Sequence, residues 1–219
     1  MSSLRYRYQT IEFGNSDIHL RTLRDKQQYE DKDDIAHNLG ISSATWPLFG
    51  VVWDSSKVLA QFMFDYKIEG KRILEVGCGI ALSSLMLNQR NADITATDYH
   101  PEVEAFLVEN TALNHGKSIN FVRTGWGDKE SSLGKFDLII GSDLLYEEDN
   151  IELLARFIVQ HSKACCEVIL VDPGRGRHAR FSKKMVSLGY LHSQNKPENT
   201  DYLKQPFKGK ILRYQRECC

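Results

Sequence analysis

Arg72-Ile-Leu-Glu-Val-Gly-Cys-Gly79 is the stretch of sequence that decides the fold. A short apolar run ends after an acidic residue, and two glycines follow, one residue apart. This pattern is typical of a buried β-strand that turns tightly into a helix beginning near Ile80. Because glycine has no Cβ, the backbone of such a turn can approach a bound ligand closely. The ligand would also meet the positive end of the following helix.

On both sides of this turn, segments with strand and helix patterns alternate along the chain. Strands are predicted at residues 72–76, 93–97, 119–123, 136–141, 168–171, 190–194 and 208–215. Helices are predicted at residues 51–66, 81–88, 101–114, 151–162 and 177–188. Such alternation predicts an α/β fold, with a mostly parallel seven-stranded sheet and helices on both faces. Only a loop separates the last two strands, which predicts an antiparallel hairpin at one edge.

The N-terminal residues have a different pattern from the rest of the chain. Two alternating segments, 6–13 and 18–23, flank the turn residues Gly-Asn-Ser-Asp at 14–17, so a β-hairpin is expected there. Residues 24–43 are charged and weakly patterned, which indicates a surface segment with one or two helical turns. The 219 residues are enough for one domain, which we divide into an N-terminal extension (1–50) and a core (51–219).

The amino-acid composition argues against several functional classes. The 28 Lys and Arg residues nearly balance the 29 Asp and Glu residues, so a nucleic-acid partner is not expected. The chain has no apolar run of membrane-spanning length and no apolar signal-peptide core near Met1. Four of the five cysteines form vicinal pairs, a spacing that suits neither a disulfide framework nor a metal clip. We therefore expect a reduced, cytoplasmic protein without membrane attachment or a metal site.

Two classes of nucleotide-like ligand are bound at glycine turns of this kind. The dinucleotide-binding Rossmann fingerprint is G-x-G-x-x-G, but here Leu82 stands at the third glycine position. Asp98 ends the next predicted strand, 19 residues after Gly79, where a carboxylate accepts hydrogen bonds from ribose hydroxyls. Both ligand classes contain ribose, so Asp98 does not discriminate between them. Glu75, two residues before the first glycine, favours a nucleotide-like ligand other than a dinucleotide.

Glu75-Val-Gly-Cys-Gly79 resembles motif I of the Rossmann-like class I S-adenosylmethionine-dependent methyltransferases. Between about residues 46 and 190, the chain is similar to the seven-β-strand methyltransferase family 16, which contains many protein-lysine methyltransferases. Besides motif I, the resemblance rests on Trp53, on Trp126 and on the motif Asp143-Leu-Leu-Tyr146. It implies the cofactor S-adenosyl-L-methionine, the product S-adenosyl-L-homocysteine and a protein substrate.

The resemblance also implies roles for individual residues. Glu75 is expected to contact the amino end of the cofactor or to order the turn around it. The backbone of Gly77, Cys78 and Gly79 is expected to contact the cofactor, and Asp98 is expected to hold its ribose. Trp126 and Ser142 are expected at the adenine, and Trp53 at the methionine moiety. Those expected at the acceptor are Asp143 and Tyr146, which would grip and align an amine.

Simpler interpretations remain for several of these residues. Trp53 on a helix fits a core position, whereas Trp126 between glycines fits stacking on a purine better. Asp143 and Tyr146 could be the N-cap and a packing residue of the next helix, although they follow an apolar strand at its carboxyl end. Asp172-Pro-Gly-Arg175 resembles a segment of a family branch that acts on an electron-transfer flavoprotein subunit; a plain turn with an exposed arginine explains it equally well.

Methylation of a protein, with lysine as the expected acceptor residue, is the leading functional hypothesis. A methyltransferase for a small molecule or a nucleobase is the second. The run Ser142-Asp-Leu-Leu-Tyr146 differs from the N-P-P-Y type motif of exocyclic-amine nucleic-acid methyltransferases, which disfavours the nucleobase version. A non-catalytic S-adenosylmethionine-binding protein is the third hypothesis. A monomer is the default for oligomeric state.

Overall fold

The structure is a computed structural model, and it describes residues 4–128, 132–146 and 150–216. The strands are β1 (Tyr6–Phe13), β2 (Ser16–Leu23), β3 (Arg72–Val76), β4 (Asp93–Asp98), β5 (Asn120–Arg123), β6 (Phe136–Ser142), β7 (Ser162–Asp172), β8 (Leu191–Asn195) and β9 (Lys210–Arg216). The α-helices are α1 (Ile35–Asn38), α2 (Asp54–Phe64), α3 (Leu82–Gln89), α4 (Val103–Leu113), α5 (Asn150–His161) and α6 (His178–Ser187). A 3-10 helix, Trp46–Gly50, precedes α2.

The main sheet has seven strands in the order β5-β4-β3-β6-β7-β9-β8. Strands β3 to β7 pair in parallel, and β9 pairs antiparallel with both β7 and β8. The predicted mostly parallel sheet and its C-terminal antiparallel hairpin are therefore confirmed. The strand order reverses between β3 and β6, and open α/β sheets bind ligands outside the carboxyl ends of the strands at such a switch point.

Helices cover both faces of this sheet, as the alternation predicted. Neighbouring residues of a strand point to opposite faces. Accordingly, Ile73 joins one buried cluster with side chains of α2, α3 and α4. Leu74 joins a second cluster with side chains of α5 and α6. Because both faces are buried, β3, β6 and the second half of β7 are mostly apolar runs, which made them easy to find in the sequence.

Most element boundaries lie within three residues of the sequence-based prediction, and the start of β7 is the exception. Helix α3 begins at Leu82 because Ala81 has a φ of +58°, which no α-helical residue adopts. Strand β7 begins at Ser162, six residues before the predicted start at residue 168. Its early residues 163–165 are exposed and carry no apolar alternation, so the pattern of the buried half of β7 did not extend to them.

The N-terminal hairpin is confirmed, with β1 and β2 paired antiparallel from Tyr6 opposite Leu23 to Phe13 opposite Ser16. Asn110 of α4 and Asn114, the residue that follows α4, attach it to the core. The Asn114 side chain accepts a hydrogen bond from the His19 backbone N–H (2.8 Å) and donates one to the His19 carbonyl (2.7 Å). Asn110 makes the same pair of bonds to Arg21, at 2.7 and 3.2 Å.

The cysteines differ in part from the expected reduced state. Cys78 and Cys166 are buried free thiols. Cys165, by contrast, is disulfide-bonded. The absence of a disulfide framework in the sequence therefore did not predict the state of Cys165. Among the described residues, every helix is too short or too polar to cross a bilayer.

Candidate active site

The turn between β3 and α3 is built from residues with left-handed backbone. Gly77, Gly79 and Ala81 have φ values of +59°, +50° and +58°. The Cys78 backbone N–H donates to the Thr97 carbonyl of β4 (2.9 Å), and the Cys78 carbonyl accepts from the Ala81 N–H (2.7 Å). The Cys78 side chain is buried, and burial raises the pKa of its thiol well above the usual range. Cys78 therefore contributes backbone contacts rather than a reactive thiolate.

The two glycines are required by contacts within the chain as well as by their φ angles. A Cβ on Gly77 would lie 2.6 Å from the Leu144 side chain and 3.7 Å from the ring of Trp126. A Cβ on Gly79 would lie 3.2 Å from the Phe49 carbonyl oxygen. The turn thus sits against the end of β6 on one side and against the 3-10 helix on the other.

Glu75 lies behind the turn, on the side of α3. Its side chain is only 2 % exposed. One carboxylate oxygen accepts a hydrogen bond from the Ser84 backbone N–H (2.8 Å) and another from the Ser84 hydroxyl. The N–H groups in the first turn of a helix have no partner within the helix, so Glu75 caps α3 from the neighbouring strand. Of its two expected roles, the geometry supports ordering of the turn.

Burial raises the pKa of Glu75 to about 7, from 4.5. Between these values the folded protein keeps a proton that the unfolded chain has released. The contribution to stability is therefore complete below pH 4.5 and is lost as the pH rises through 7. We expect wild-type protein to lose about 3 kcal/mol relative to Glu75→Gln across this window, at 1.36 kcal/mol per pKa unit.

Urea unfolding of both proteins at pH 4 and pH 8, on either side of the window, would measure this difference. Glu69→Gln is the matched control, because Glu69 is exposed and close to the start of β3. Parallel pH profiles for wild-type and Glu75→Gln protein would show that Glu75 does not carry the effect.

Asp98 ends β4 beside the turn. One oxygen accepts a hydrogen bond from the Gly79 N–H (2.8 Å), and the other accepts one from the His100 N–H (2.9 Å). Burial raises the pKa of this carboxyl despite both bonds. The two carboxylate oxygens together have four lone pairs, so the carboxylate can still accept a ligand hydroxyl. The side chain is half-buried, and it can hold a diol while it ties the turn to β4.

An aromatic cluster between the 3-10 helix and β4 was missed by the sequence analysis. The buried His100 ring stacks on Phe49, with ring centroids 4.1 Å apart, and meets Trp46 edge-on at 5.2 Å. Burial lowers the pKa of His100 to about 4, so the ring is neutral at physiological pH. No spacing in the sequence links these three residues, because they meet only when the N-terminal segment folds over β4.

The two tryptophans predicted at the cofactor lie on different sides of the turn. Trp53 precedes α2 and donates its indole N–H to the Leu48 carbonyl (3.0 Å), while the Lys26 ammonium lies 4.1 Å from its ring centroid. Trp126 is half-buried and packs against the second core cluster with one edge of its ring near Gly77. Both rings are partly exposed, so each packs against the protein with one part of its surface and faces solvent with the other.

Asp143 follows β6 directly, and a backbone hydrogen bond ties it to β7. It has a φ of +55°, and its N–H donates to the Val171 carbonyl of β7 (2.9 Å). Leu144 and Leu145 are buried, whereas the Tyr146 side chain is exposed. Helix α5 begins at Asn150, so Asp143 is too far from it to be its N-cap. That simpler interpretation of Asp143 is therefore wrong.

Arg175 makes a two-point ion pair with Asp143. Its Nε lies 2.5 Å from one carboxylate oxygen and its Nη2 lies 2.7 Å from the other. Asp143 raises the pKa of the Arg175 guanidinium. The plain exposed arginine that the sequence allowed is thus a paired one. The sequence contained Asp143 and Arg175 as separate motifs, and only the parallel pairing of β6 with β7 brings them together.

The structure places the turn, Asp98, Ser142 and Asp143 at one edge of the sheet, since the carboxyl ends of parallel strands meet there. The turn and Asp98 lie at the ends of β3 and β4, and Ser142 and Asp143 lie at the end of β6. The residues fit an adenosine-containing cofactor: Asp98 retains acceptor lone pairs, and the ring of Trp126 stands beside the turn. Glu75 points away from this edge, into α3.

Comparison with known proteins gives the same classification. Residues 37–186 match the family model described as "Lysine methyltransferase". The chain is 30 % identical over 156 residues to Protein N-lysine methyltransferase METTL21A of Danio rerio, covering 67 % of this chain and 71 % of that protein. It is 30 % identical over 109 residues to Histone-arginine methyltransferase METTL23 of Rattus norvegicus, covering 46 % and 48 %.

A solved structure shows the same fold. The magnesium protoporphyrin IX methyltransferase of Synechocystis, crystallised with bound S-adenosylmethionine, superposes with a TM-score of 0.57 at 19 % identity, covering 74 % of this chain and 78 % of that one. At this identity the likeness concerns the fold alone. With the family match over most of its length, the chain belongs to the lysine methyltransferase family and is an S-adenosylmethionine-dependent methyltransferase.

Proposed function

We propose that this enzyme transfers a methyl group from S-adenosylmethionine to the side-chain amine of a lysine in a protein substrate. One observation carries the proposal beyond the family match. Asp143, at the sheet edge next to the cofactor turn, holds a cationic side chain through both carboxylate oxygens. A carboxylate that pairs with a guanidinium in this position is also suited to an ammonium. Protein lysine methylation by the Danio rerio relative supports the same acceptor.

In this proposal the residues of the turn hold the cofactor and exclude water. The backbone of Gly77, Cys78 and Gly79 forms the floor of the site, and Asp98 accepts the ribose hydroxyls. Trp126 and the Ser142 backbone flank the adenine, and Trp53 covers the methionine moiety. Glu75 acts indirectly, because it fixes the start of α3 through Ser84. S-adenosylmethionine, when bound, supplies a methyl group activated by its sulfonium.

The acceptor side has to present a neutral amine, because an ammonium has no lone pair for attack. The unperturbed pKa of lysine is about 10.4. A nearby carboxylate raises that pKa further, so Asp143 is an orienting group rather than a strong base. Asp143 and Tyr146 would align the amine, whose nitrogen forms the new bond to carbon while the carbon–sulfur bond breaks. The surplus proton leaves to solvent. Alignment of this kind is worth orders of magnitude in rate.

Arginine is the second candidate acceptor, because the two-point form of the Asp143–Arg175 contact also suits a guanidinium. The pair shows that Asp143 can be approached by a planar guanidinium in the two-point geometry typical of arginine and carboxylate. The similar protein from Rattus norvegicus is a histone-arginine methyltransferase. A lysine would make a single-point contact instead.

Three further points belong to the proposal. We propose that residues 1–50 and 51–219 form one domain, supported by the hydrogen bonds of Asn110 and Asn114 to β2. We propose a monomer and no nucleic-acid partner, in line with the balanced charge. We also propose a cytoplasmic location, which the free thiols of Cys78 and Cys166 fit and the disulfide of Cys165 does not.

Transfer of tritiated methyl groups from S-adenosylmethionine into a cell lysate tests the acceptor class. The reaction mixture is divided afterwards, and the portions are treated with protease, with nuclease or with neither. We expect acid-precipitable label that protease removes and nuclease does not. Label that stays in the small-molecule fraction, or that nuclease removes, would overturn a protein acceptor in favour of the small-molecule or nucleobase alternative.

A further inference from the structure

We propose that Arg175 is a specificity-determining residue that occupies the acceptor position on Asp143 and must be displaced by the cation of the substrate. The inference rests on the proposed function, since it takes Asp143 as the group that orients the acceptor. The starting observation is the two-point contact of the Arg175 guanidinium with both Asp143 oxygens, at 2.5 and 2.7 Å. This contact uses the carboxylate that would otherwise receive the substrate.

The two partners differ in how firmly they are held. The Asp143 side chain is 12 % exposed, while that of Arg175 is 43 % exposed. Asp143 lies between the buried Leu144 and the end of β6, and its N–H is bonded to β7. The carboxylate therefore belongs to the rigid sheet edge, and the guanidinium approaches it from the solvent side.

The backbone around Arg175 permits its removal. Gly174 and Gly176 have φ values of +99° and +85°. A Cβ on Gly176 would meet no atom within 4 Å, and a Cβ on Gly174 would meet only the Lys208 carbonyl oxygen at 3.7 Å. Steric contacts thus leave room around the loop on both sides of Arg175. The base of the loop is anchored, because the Gly174 N–H donates to Asp172 at 3.0 Å.

Displacement of Arg175 selects for charge in the acceptor. Both Asp143 and Asp172 act on the charge of Arg175 and favour its protonated form. When Arg175 leaves, Asp143 and the buried Asp172 lose that compensation. A lysine that binds as its ammonium restores the charge and releases its proton to solvent before the attack, whereas a hydroxyl acceptor brings no charge. A built-in competitor of this kind discriminates against the wrong ligand by leaving a charge unpaired.

Kinetics of Arg175→Gln test the proposal. The acceptor probe is the dialysed protein fraction of a cell lysate, and the rate of tritium transfer is measured against its concentration. We expect the apparent KM for lysate protein to fall about five- to tenfold, with kcat unchanged or higher and with unchanged affinity for S-adenosylmethionine. Arg177→Gln is the matched control, because it removes one charge from the same segment, and we expect wild-type kinetics from it.

Two results would overturn the proposal. A higher KM or a lower kcat for Arg175→Gln would mean that Arg175 holds Asp143 in its active position. An unchanged KM would mean that the pair does not compete with the acceptor. Thermal unfolding establishes that each variant folds. Should Arg175→Gln not fold, Arg175→Lys serves instead, since lysine keeps the charge without the two-point fork; a smaller fall in KM is expected, and no fall contradicts competition.

Failure of this inference can be told apart from failure of the proposed function. When Asp143→Asn abolishes transfer but Arg175→Gln does not lower KM, only the role of Arg175 is overturned. When Asp143→Asn transfers methyl groups at the wild-type rate, the acceptor site itself is wrongly placed, and the proposal for Arg175 falls with it.

Discussion

Asp143→Asn is expected to lower methyl transfer to protein at least about 100-fold while the affinity for S-adenosylmethionine changes less than about threefold. The substitution keeps the size of the side chain but removes the charge that would hold a cationic acceptor. Asparagine tolerates left-handed backbone, so the φ of +55° at this position is preserved. Misalignment of the acceptor, rather than misfolding of the β6 end, is then the cause of the loss.

Initial rates of tritium transfer into lysate protein, together with calorimetric titration of the cofactor, measure both effects. Asp93→Asn is the matched control, because Asp93 is exposed at the start of β4, at the opposite end of that strand from the site. Wild-type transfer by Asp143→Asn would remove Asp143 from the acceptor site. Loss of cofactor binding in the same variant would instead place Asp143 among the cofactor residues.

Asp98→Ala is expected to weaken S-adenosylmethionine binding at least about 100-fold. Hydrogen bonds to a charged group contribute about 1.5–3 kcal/mol each, and 1.4 kcal/mol corresponds to a factor of ten in affinity. The substitution removes the acceptor for the ribose hydroxyls. It also leaves the N–H groups of Gly79 and His100 without their partner, so the turn itself loosens. We expect a stability loss of about 2 kcal/mol from that second effect.

Titration calorimetry gives the affinity, and urea unfolding gives the stability. Asp93→Ala is the control from the same strand, because Asp93 is exposed at the opposite end of β4. Unchanged affinity in Asp98→Ala would show that the cofactor does not reach this carboxylate. Wild-type stability would show that the two backbone bonds contribute nothing to the turn.

Much of the fold could be predicted because the strands are buried on both faces. The apolar runs at β3, β6 and the second half of β7 need no alternation to be recognised, and glycines mark the turns between elements. The start of β7 could not be predicted, since residues 163–165 are exposed and pattern-free. The spacing of the cysteines along the chain did not predict the disulfide of Cys165 either.

Part of the candidate site could be predicted from the sequence for a different reason. Glu75, the glycines and Asp98 lie within one strand–turn–helix–strand unit, so their spacing along the chain reflects their arrangement in space. Arg175 and the stacked pair of Phe49 and His100 become neighbours of the site only through strand pairing and the fold of the N-terminal segment. Asp143 and Arg175 are 32 residues apart in the sequence, and Phe49 and His100 are 51 apart (100 − 49). No local sequence pattern predicts contacts over such separations.

The identity of the methylated residue tests the central claim most directly. Protein labelled by the wild-type enzyme in a cell lysate is hydrolysed completely, and its tritiated amino acids are separated against standards. The proposed function predicts label in methylated lysine, and none there when Asp143→Asn replaces the wild-type enzyme. Label confined to methylated arginine would replace lysine by the second candidate, and an absence of labelled amino acids would contradict protein methylation altogether.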